Sequence, residues 1–426
     1  MALSSGSKHR LFTVNRPIAV DLFAGAGGMS LGFEMAGFDV LAALEIDPVH
    51  CATYQFNFPF TSVLCQDIRS ITGRALRERS AIADREIDVV IGGAPCQGFS
   101  IIGKRDPGDR RNTLMFEFAR LVGELQPKYF VLENVPRFAQ HQALLQALLA
   151  QFSQHYQVCE PWQILNAASF GVPQARKRLF LMGSRRGLPL PRYPQPVSLP
   201  ASPKPRCRRG QLPMSPTVAE ALADLPQVEN YPELWHQDRA IAEYGLPSDY
   251  ARPLRGLVRL GDDYSYGRCS QPELLTCSWL TQHTAVSMAR FAATTPGQRE
   301  KISHFDRLNW QGVSVTLRAG TDGQRGAFTA ARPIHPELPR CITVREAARL
   351  HSYPDWFRFH WTKWHGFRQV GNSVPPLMAK AIAQEILLVL NREAVQPQGV
   401  QSLGDEELLY LTVREAAQRL AIHPEI

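Results

Sequence analysis

Short apolar runs alternate with amphipathic stretches over the first 185 residues of this 426-residue chain. The spacing of apolar residues predicts helices between the runs, for example over Leu114–Leu125 and Leu144–Phe152. Short apolar runs separated by helices are typical of a parallel sheet in an α/β fold. The predicted strands are Ile18–Phe23, Val40–Ile46, Ile87–Ile91, Tyr129–Leu132 and Leu179–Met182.

This alternation stops near Arg185. Residues 185–210 hold seven prolines, seven basic residues and no acid, a composition that neither a helix interior nor a central strand tolerates. Residues 211–335 are irregular, and regular patterns return at Thr343–Leu350 and at about Pro376–Leu390. We therefore expect one α/β domain with an insert. The predicted boundaries are an N-terminal extension (1–16), the first part of the α/β domain (17–185), the insert (186–340), a return segment (341–390) and a polar tail of unknown role (391–426). The tail is expected to hold a short solvated helix near Val413–Leu420.

Composition narrows the class of protein. The chain is 44% apolar and 20% charged, as in folded globular proteins, and it has neither a membrane-spanning apolar run nor the apolar core of a signal peptide. Eight scattered cysteines without a CxxC pair indicate a reduced, cytosolic protein without a zinc site. The net charge of +8 favours a polyanionic partner, which by itself is weak support for nucleic acid.

The first motif is DLFAGAGGMSLGF, residues 21–33, in which a strand enters a glycine-rich turn and then a helix. Gly25, Gly27 and Gly28 would let a nucleotide-like cofactor approach the backbone closely. Ser30 breaks the GxGxxG fingerprint, which disfavours a nicotinamide or flavin dehydrogenase. A tight turn without a ligand is the alternative.

Two acids follow the next predicted strands. Glu45 ends the second strand, where a carboxylate can accept hydrogen bonds from ribose hydroxyls, and Asp67 near the tip of a third could accept from an adenine amino group. Each alone is more often a helix N-cap. Together with the glycine-rich turn, they predict an adenosine-cofactor site.

A cysteine stands in a constrained loop in GGAPCQGFS, residues 92–100. Cys96 follows a strand and a proline, whereas structural cysteines usually lie inside apolar patterns. A nucleophilic thiolate and an inert loop cysteine both remain open, because a free thiol with a pKa of about 8.5 needs help from its surroundings.

Two further motifs carry charge at predicted strands. Glu133 closes the apolar strand of VLENV at the edge where parallel sheets bind ligands, and Asn134 could cap the next helix. In QARKRLF, Gln174, Arg176 and Arg178 alternate and so share one face, which suits anion or carboxylate contacts. A basic surface strand is the alternative.

These blocks, in this order, resemble the bacterial-type DNA cytosine-5 methyltransferases. Two later blocks extend the resemblance, ITVREAARLHSYPDWF at 342–357 and GNSVPPLMAKAIAQEI at 371–386, so that it covers roughly residues 17–390. The resemblance implies a Rossmann-like, S-adenosylmethionine-dependent methyltransferase sheet domain with an inserted, irregular target recognition domain at 186–340.

The resemblance also implies the chemistry. S-adenosylmethionine would donate a methyl group to carbon 5 of a flipped cytosine in a specific sequence of double-stranded DNA, leaving S-adenosylhomocysteine, with no metal. Cys96 would add to carbon 6, Glu133 would bind ring nitrogen 3 and the exocyclic amine, and Arg178 would hold the base carbonyl and Glu133. Arg176 and Gln174 would support the loop and phosphate. No residue is identified as the base that removes the carbon 5 proton.

The remaining site residues carry over in the same way. The implied cofactor pocket comprises Phe23, Gly25, Gly27, Gly28, Glu45, Asp67, Pro95, Leu114, Asn372 and Ser373. The implied DNA contacts are Ser100, Lys104 and Arg105 in a loop over 97–111, then Gln174, Gln298 in the segment Gln298–Lys301, Thr316 of a Thr-Leu pair, and Arg318.

The resemblance implies double-stranded DNA as partner for a monomeric bacterial or archaeal cytoplasmic enzyme, with a cognate restriction endonuclease acting separately and no membrane contact. A tRNA-directed relative is the first alternative, but its Cys-Phe-Thr triplet is absent from the chain. A catalytically inactive DNA-binding homologue is the second, against which the intact Cys96, Glu133, Arg176 and Arg178 argue. The recognition sequence cannot be assigned.

Overall fold

A mixed sheet forms the centre of the molecule. A computed structural model describes residues 16–95, 113–202, 212–269, 271–320 and 332–420. The sheet strands are β1 (Ile18–Leu22), β2 (Asp39–Glu45), β3 (Ser62–Cys65), β4 (Val89–Gly93), β5 (Tyr129–Asn134), β6 (Tyr156–Val158), β7 (Gln163–Asn166) and β8 (Lys177–Arg185). Their order is β3-β2-β1-β4-β5-β8-β6, with β7 also pairing with β8. The five apolar runs predicted from the sequence are all strands.

The sheet is parallel only over its first five strands. β8 runs antiparallel to β5, β6 and β7, which corrects the expectation of a parallel sheet. An apolar run indicates that a strand is buried on both faces, but it does not indicate whether the strand runs parallel or antiparallel to its neighbours. The short strands β6 and β7 contain exposed polar residues and give no apolar run of their own.

Helices cover both faces of the sheet. The helices are α1 (Gly28–Met35), α2 (Pro48–Asn57), α3 (Gly73–Glu78), α4 (Leu114–Leu125), α5 (Gln142–Ser153), α6 (Val218–Leu222), α7 (Ala251–Leu254), α8 (Ala285–Ala293), α9 (Val344–Arg349), α10 (Lys363–Asn372), α11 (Pro376–Val389) and α12 (Val413–Leu420). One buried cluster lies under α4 and α5, and a second joins α1 and α11 to the other face.

The return segment packs directly on the first helix. A Cβ placed on Gly32 of α1 would lie 2.4 Å from the Cβ of Ala379 in α11, so only glycine allows this approach. α11 therefore covers the sheet beside α1, although more than 340 residues separate the two helices in the sequence.

The insert contains little regular structure. Its strands are two-residue pairs, β9 (Ala240–Ile241) with β11 (Leu274–Leu275), and β10 (Gly267–Arg268) with β12 (Val400–Gln401) from the tail. No helix in the described ranges is long and apolar enough to cross a membrane.

The tail is part of the folded body, not a solvated appendage. Leu408, Leu409 and Ala416 are buried against Val49, Ala52 and Phe56 of α2. The helix at 413–420 therefore forms where the sequence predicts it, but one face of it is buried. Its single buried position, Ala416, is too weak a pattern to predict packing from the sequence.

Candidate active site

The parallel strand order predicts a ligand-binding crevice between β1 and β4. The chain crosses from β1 to β2 on one side and to β4 on the other, and α/β sheets bind ligands outside the carboxyl ends of strands at such a point. The turn after β1 and the Pro95 end of β4 flank this crevice.

The glycine-rich turn has a left-handed backbone at three positions. Phe23, Gly25 and Gly27 have φ angles of 64°, 55° and 99°. A Cβ on Gly25 would meet no atom within 4 Å, so the backbone faces open space there. Gly25 is therefore placed to lie close to a ligand.

Gly27 and Gly28 are required for packing, while their approach to a ligand stays a prediction. A Cβ on Gly27 would lie 2.4 Å from the ring of Phe58, and a Cβ on Gly28 would lie 2.4 Å from the Tyr353 hydroxyl and 2.8 Å from the Ser373 Cβ. The missing side chains let the turn meet α2 and the GNSVPP block. A glycine pattern does not reveal which neighbour requires it.

Glu45 is bound to the glycine-rich turn. Its Oε2 accepts from the Gly25 N–H at 2.8 Å, and its Oε1 accepts from the Ile46 and Asp47 N–H groups, each at 2.9 Å. A carboxylate has about four acceptor positions, so about one remains, on Oε2 beside Gly25. This geometry suits one hydroxyl donor.

Asp67 begins a short 3-10 helix and pairs with Arg69. The guanidinium holds both carboxylate oxygens and, with the Arg69 N–H, lowers the pKa of Asp67. Asp67 is thus the N-cap that the alternative interpretation expects, and it remains ionised. Leu114 and Phe23 are partly buried against the core under α4, and Pro95 is partly buried at the end of β4.

Glu133 forms a buried ion pair at the same sheet edge. It is aligned with Gly93 across the β4–β5 pair, and Arg178 Nε lies 2.7 Å from Glu133 Oε1. Glu133 is 7% exposed. Burial raises the pKa of this carboxyl, while Arg178 and Arg176 oppose the rise. The group can therefore hold or share a proton closer to neutral pH than an exposed glutamate.

Asn134 does not cap a helix, which corrects that expectation. Its side-chain amide donates to the Ala94 carbonyl at 3.3 Å, and its Oδ1 accepts from the Val135 N–H at 2.8 Å. The side chain therefore ties β5 to the backbone two residues before Cys96. No sequence signal marks this contact, since Asn at a strand end usually indicates a turn or cap.

Arg176 joins three segments of the chain. It is fully buried and donates to the carbonyls of Leu317 at 2.7 Å and of Gly371 and Ser373, each at 2.8 Å. Burial and the neighbouring Arg178 lower the pKa of its guanidinium. Its contacts place Arg176 as a positioning residue rather than a phosphate ligand.

Gln174 completes the same buried hub. Its Oε1 accepts from the Leu317 N–H at 3.0 Å, and its Nε2 donates to the Leu350 carbonyl at 3.1 Å and lies 2.9 Å from His351 Nδ1. The side chain is 0% exposed, so the expectation of a DNA contact by Gln174 does not hold. His351, which the sequence analysis did not select, also reaches the Ser373 carbonyl, at 3.1 Å.

Thr316 lies beside this hub. The Thr316 hydroxyl donates to the Ala175 carbonyl at 2.7 Å. Arg318 and Gln298 are exposed, as is Asn372 at the end of α10, while Ser373 is partly buried. The expectations for Cys96, Ser100, Lys104 and Arg105 lie outside the described residues. In the described part of the chain, no group of three or more His, Cys, Asp or Glu side chains could hold a metal ion.

The fold and the crevice define a Rossmann-like α/β enzyme, and comparison with known proteins identifies its family. The profile of the family described as C-5 cytosine-specific DNA methylase matches residues 18–388. The chain belongs to this family of S-adenosylmethionine-dependent methyltransferases and is a DNA (cytosine-5) methyltransferase. The family and fold-class predictions made from the sequence are confirmed.

Individual relatives agree over nearly the whole chain. It is 50% identical over 412 residues to the type II methyltransferase M.XorII of Xanthomonas oryzae pv. oryzae, covering 96% of this chain and 93% of that protein. It is 33% identical to the type II methyltransferase M.DdeI of Desulfomicrobium norvegicum, over 86% and 88% of the two chains.

Solved structures share the fold. The crystal structure of a protein described as a prophage-encoded DNA modification methyltransferase (E. coli) matches with a TM-score of 0.72 and 31% identity, over 88% of this chain and all of that one. The S. pombe Dnmt2 methyltransferase matches at 0.52 and 17% identity, over 88% of this chain and 100% of that one, a likeness of fold alone.

Proposed function

We propose that this chain transfers a methyl group from S-adenosylmethionine to carbon 5 of a flipped-out cytosine in a specific sequence of double-stranded DNA, through a covalent Cys96 adduct at carbon 6. The Glu133–Arg178 pair carries this proposal. It is a buried carboxyl with a raised pKa at the edge of β5, aligned with the end of the strand that leads into Cys96.

The residues on the sheet edge fit the cofactor. Gly25 offers open space, and the adjacent Glu45 keeps about one acceptor position for a ribose hydroxyl. Ser373 lies against Gly28 on the opposite side of the turn, where the methionine end would lie. When bound, S-adenosylmethionine supplies an electrophilic methyl group. Asp67 remains a candidate for the adenine amine.

The protein groups then have separate chemical roles. The Cys96 thiolate adds to carbon 6 of the cytosine, and the ring electrons move so that carbon 5 becomes nucleophilic. Glu133 hydrogen-bonds ring nitrogen 3 and the exocyclic amine and stabilises the charge that attack creates. Arg178 orients Glu133 and contacts the base carbonyl. After methyl transfer, loss of the carbon 5 proton re-forms the ring double bond and expels the thiolate.

The site requires a base outside the helical stack, because Glu133 lies at a buried sheet edge that a stacked base cannot reach.

We assign sequence reading to the insert at 186–340 and the chemistry to 17–185 and 341–390. Gln298, Thr316 and Arg318 stay candidates for DNA contacts, as do Ser100, Lys104 and Arg105. The type II names of its relatives support a role in restriction–modification. In this proposal the protein acts as a monomer, and a cognate restriction endonuclease acts separately.

The test combines a host without DNA methylation with two cysteine variants. Bisulfite sequencing of host DNA should show a methylated cytosine in one sequence context for the wild type and for Cys269→Ala, an exposed free cysteine far along the chain. Cys96→Ala should leave DNA unmethylated, and duplex DNA with 5-fluorocytosine at the target should trap the wild type covalently. Methylation of tRNA in place of DNA, or an active Cys96→Ala, would contradict the proposal.

A further inference from the structure

Two cations, Arg332 and Lys363, and the backbone of a third, Arg318, lie along one side of helix α10. The glycine at its end, Gly371, touches the backbone of Arg318, since a Cβ there would lie 2.3 Å from the Arg318 carbonyl carbon. One turn earlier, the Arg332 guanidinium lies 5.5 Å from the centre of the Phe367 ring. One further turn back is Lys363 itself. Positions 363, 367 and 371 share a helix face because they are four residues apart.

These cations lack acidic partners in the described part of the chain. The Arg332 guanidinium is partly buried, and its Nε has no hydrogen-bond partner. Lys363 Nζ donates to the Leu280 carbonyl at 2.7 Å and lies 4.6 Å from the Trp279 ring centre, which leaves two of its three donors. Burial lowers the pKa of Lys363, and the nearby positive charge of Arg332 lowers it further.

Neighbouring arginines are neutralised within the protein. Arg340 pairs with Glu346 and Glu229, and the fully buried Arg349 pairs with Asp224 and Asp355. Among the described residues, carboxylates therefore pair with the internal cations of this region, but none pairs with the row along α10. Partly desolvated cations without a counter-charge favour an external anion.

We infer that Arg318, Arg332 and Lys363, the α10 row, bind the phosphate backbone of duplex DNA beside the methylation target. The eight residue-to-residue steps from 363 to 371 span about 12 Å at 1.5 Å per step. One strand of duplex DNA carries three to four phosphates over about that length. The row also ends at the Asn372–Ser373 edge of the active site, so the duplex would run from the reacting base along α10.

The inference rests on the proposed function for its location, but its test does not need methyl transfer. Phosphate contacts release counterions, so the affinity for DNA falls with salt, with a slope of log K against log salt of about −0.9 per contacted phosphate. Contacts to phosphates do not depend on the DNA sequence, whereas contacts to the bases do. The measurement is therefore fluorescence anisotropy over a salt series, with labelled target and non-target duplexes and S-adenosylhomocysteine present.

We expect Lys363→Gln and Arg332→Gln each to reduce the magnitude of the slope by about 0.9, equally for both duplexes. Arg332→Lys should restore the wild-type slope, because it keeps the charge. The control is Arg74→Gln, an exposed cation of α3 that pairs with Glu78. If Arg332→Gln does not fold, Lys363→Gln and Arg318→Gln give the same reading.

If folded variants keep the wild-type slope of log K against log salt, the inference is wrong. That result is expected if the α10 row binds an acidic protein partner instead of DNA. A loss confined to the target duplex would also overturn it, since it indicates base reading. If the wild type does not methylate DNA, the proposed function is wrong, but the salt dependence still tests whether the α10 row contacts phosphates.

Discussion

Replacing Glu133 with glutamine tests the central chemical assignment. Glutamine keeps the volume of the side chain at this 7% exposed position, but it cannot carry a negative charge or a transferable carboxyl proton. The same change removes the partner of Arg178, whose Nε lies 2.7 Å from Glu133 Oε1.

Two magnitudes follow from that geometry. Loss of a positioned acid–base group lowers the catalytic rate by about 10²- to 10⁴-fold. Removing one member of a buried ion pair costs on the order of 3 kcal/mol of stability, because the other charge stays buried without compensation. The affinity for S-adenosylhomocysteine should be unchanged, since Glu133 is not one of the candidate cofactor residues.

The assay measures kcat and KM for both substrates by transfer of a labelled methyl group, at a temperature where circular dichroism shows the variant folded. Glu385→Gln is the control, because burial raises the pKa of Glu385 as well, but this residue is only partly buried and lies on α11, away from Glu133 in the sequence. A folded Glu133→Gln with at least about a tenth of the wild-type kcat would refute the role of Glu133, since even the weakest expected loss is about 10²-fold.

Three further changes test other parts of the structure. Burial raises the pKa of Asp21 to about 7, so the folded state keeps a proton that the unfolded chain releases near the ordinary value of 3.8. The free energy of unfolding of the wild type should therefore fall as pH rises from about 4 to about 7. Urea unfolding of Asp21→Asn should show no such dependence on pH. Gly28→Ala should cost about 1–3 kcal/mol, because its Cβ would overlap the Tyr353 hydroxyl, and an unchanged melting temperature would contradict the packing role. Leu409→Ala should cost about 2–5 kcal/mol in chemical unfolding, whereas a tail that only rests on the surface would tolerate it.

The buried hub has a consequence for how the two parts of the protein work together. Arg176 and Gln174 hold Leu317 of the insert, while Arg176 also holds Ser373 of the return segment. These hydrogen bonds fix the insert relative to the cofactor edge without any side chain that reaches a substrate. Gln174 and Arg176 therefore contribute to the site by positioning two distant segments.

The order of elements and the residue types of the site were determined by the sequence. Apolar runs of strand length give β1, β2, β4, β5 and β8, because burial on two faces requires continuous apolar side chains. The acids Glu45 and Glu133 could be selected because each ends a predicted strand at the edge where α/β sheets bind ligands. Their neighbours at the sheet edge follow from the parallel order of β1, β2, β4 and β5.

Contacts between distant segments were decided only by the tertiary structure. The antiparallel direction of β8, the packing role of Gly27 and Gly28, the burial of Gln174 and the docking of the tail on α2 all depend on neighbours far away in the chain. The type of a residue determines which interactions its side chain can make. Which partner satisfies them is set by the fold, since a buried donor is satisfied by whatever acceptor the packing brings near.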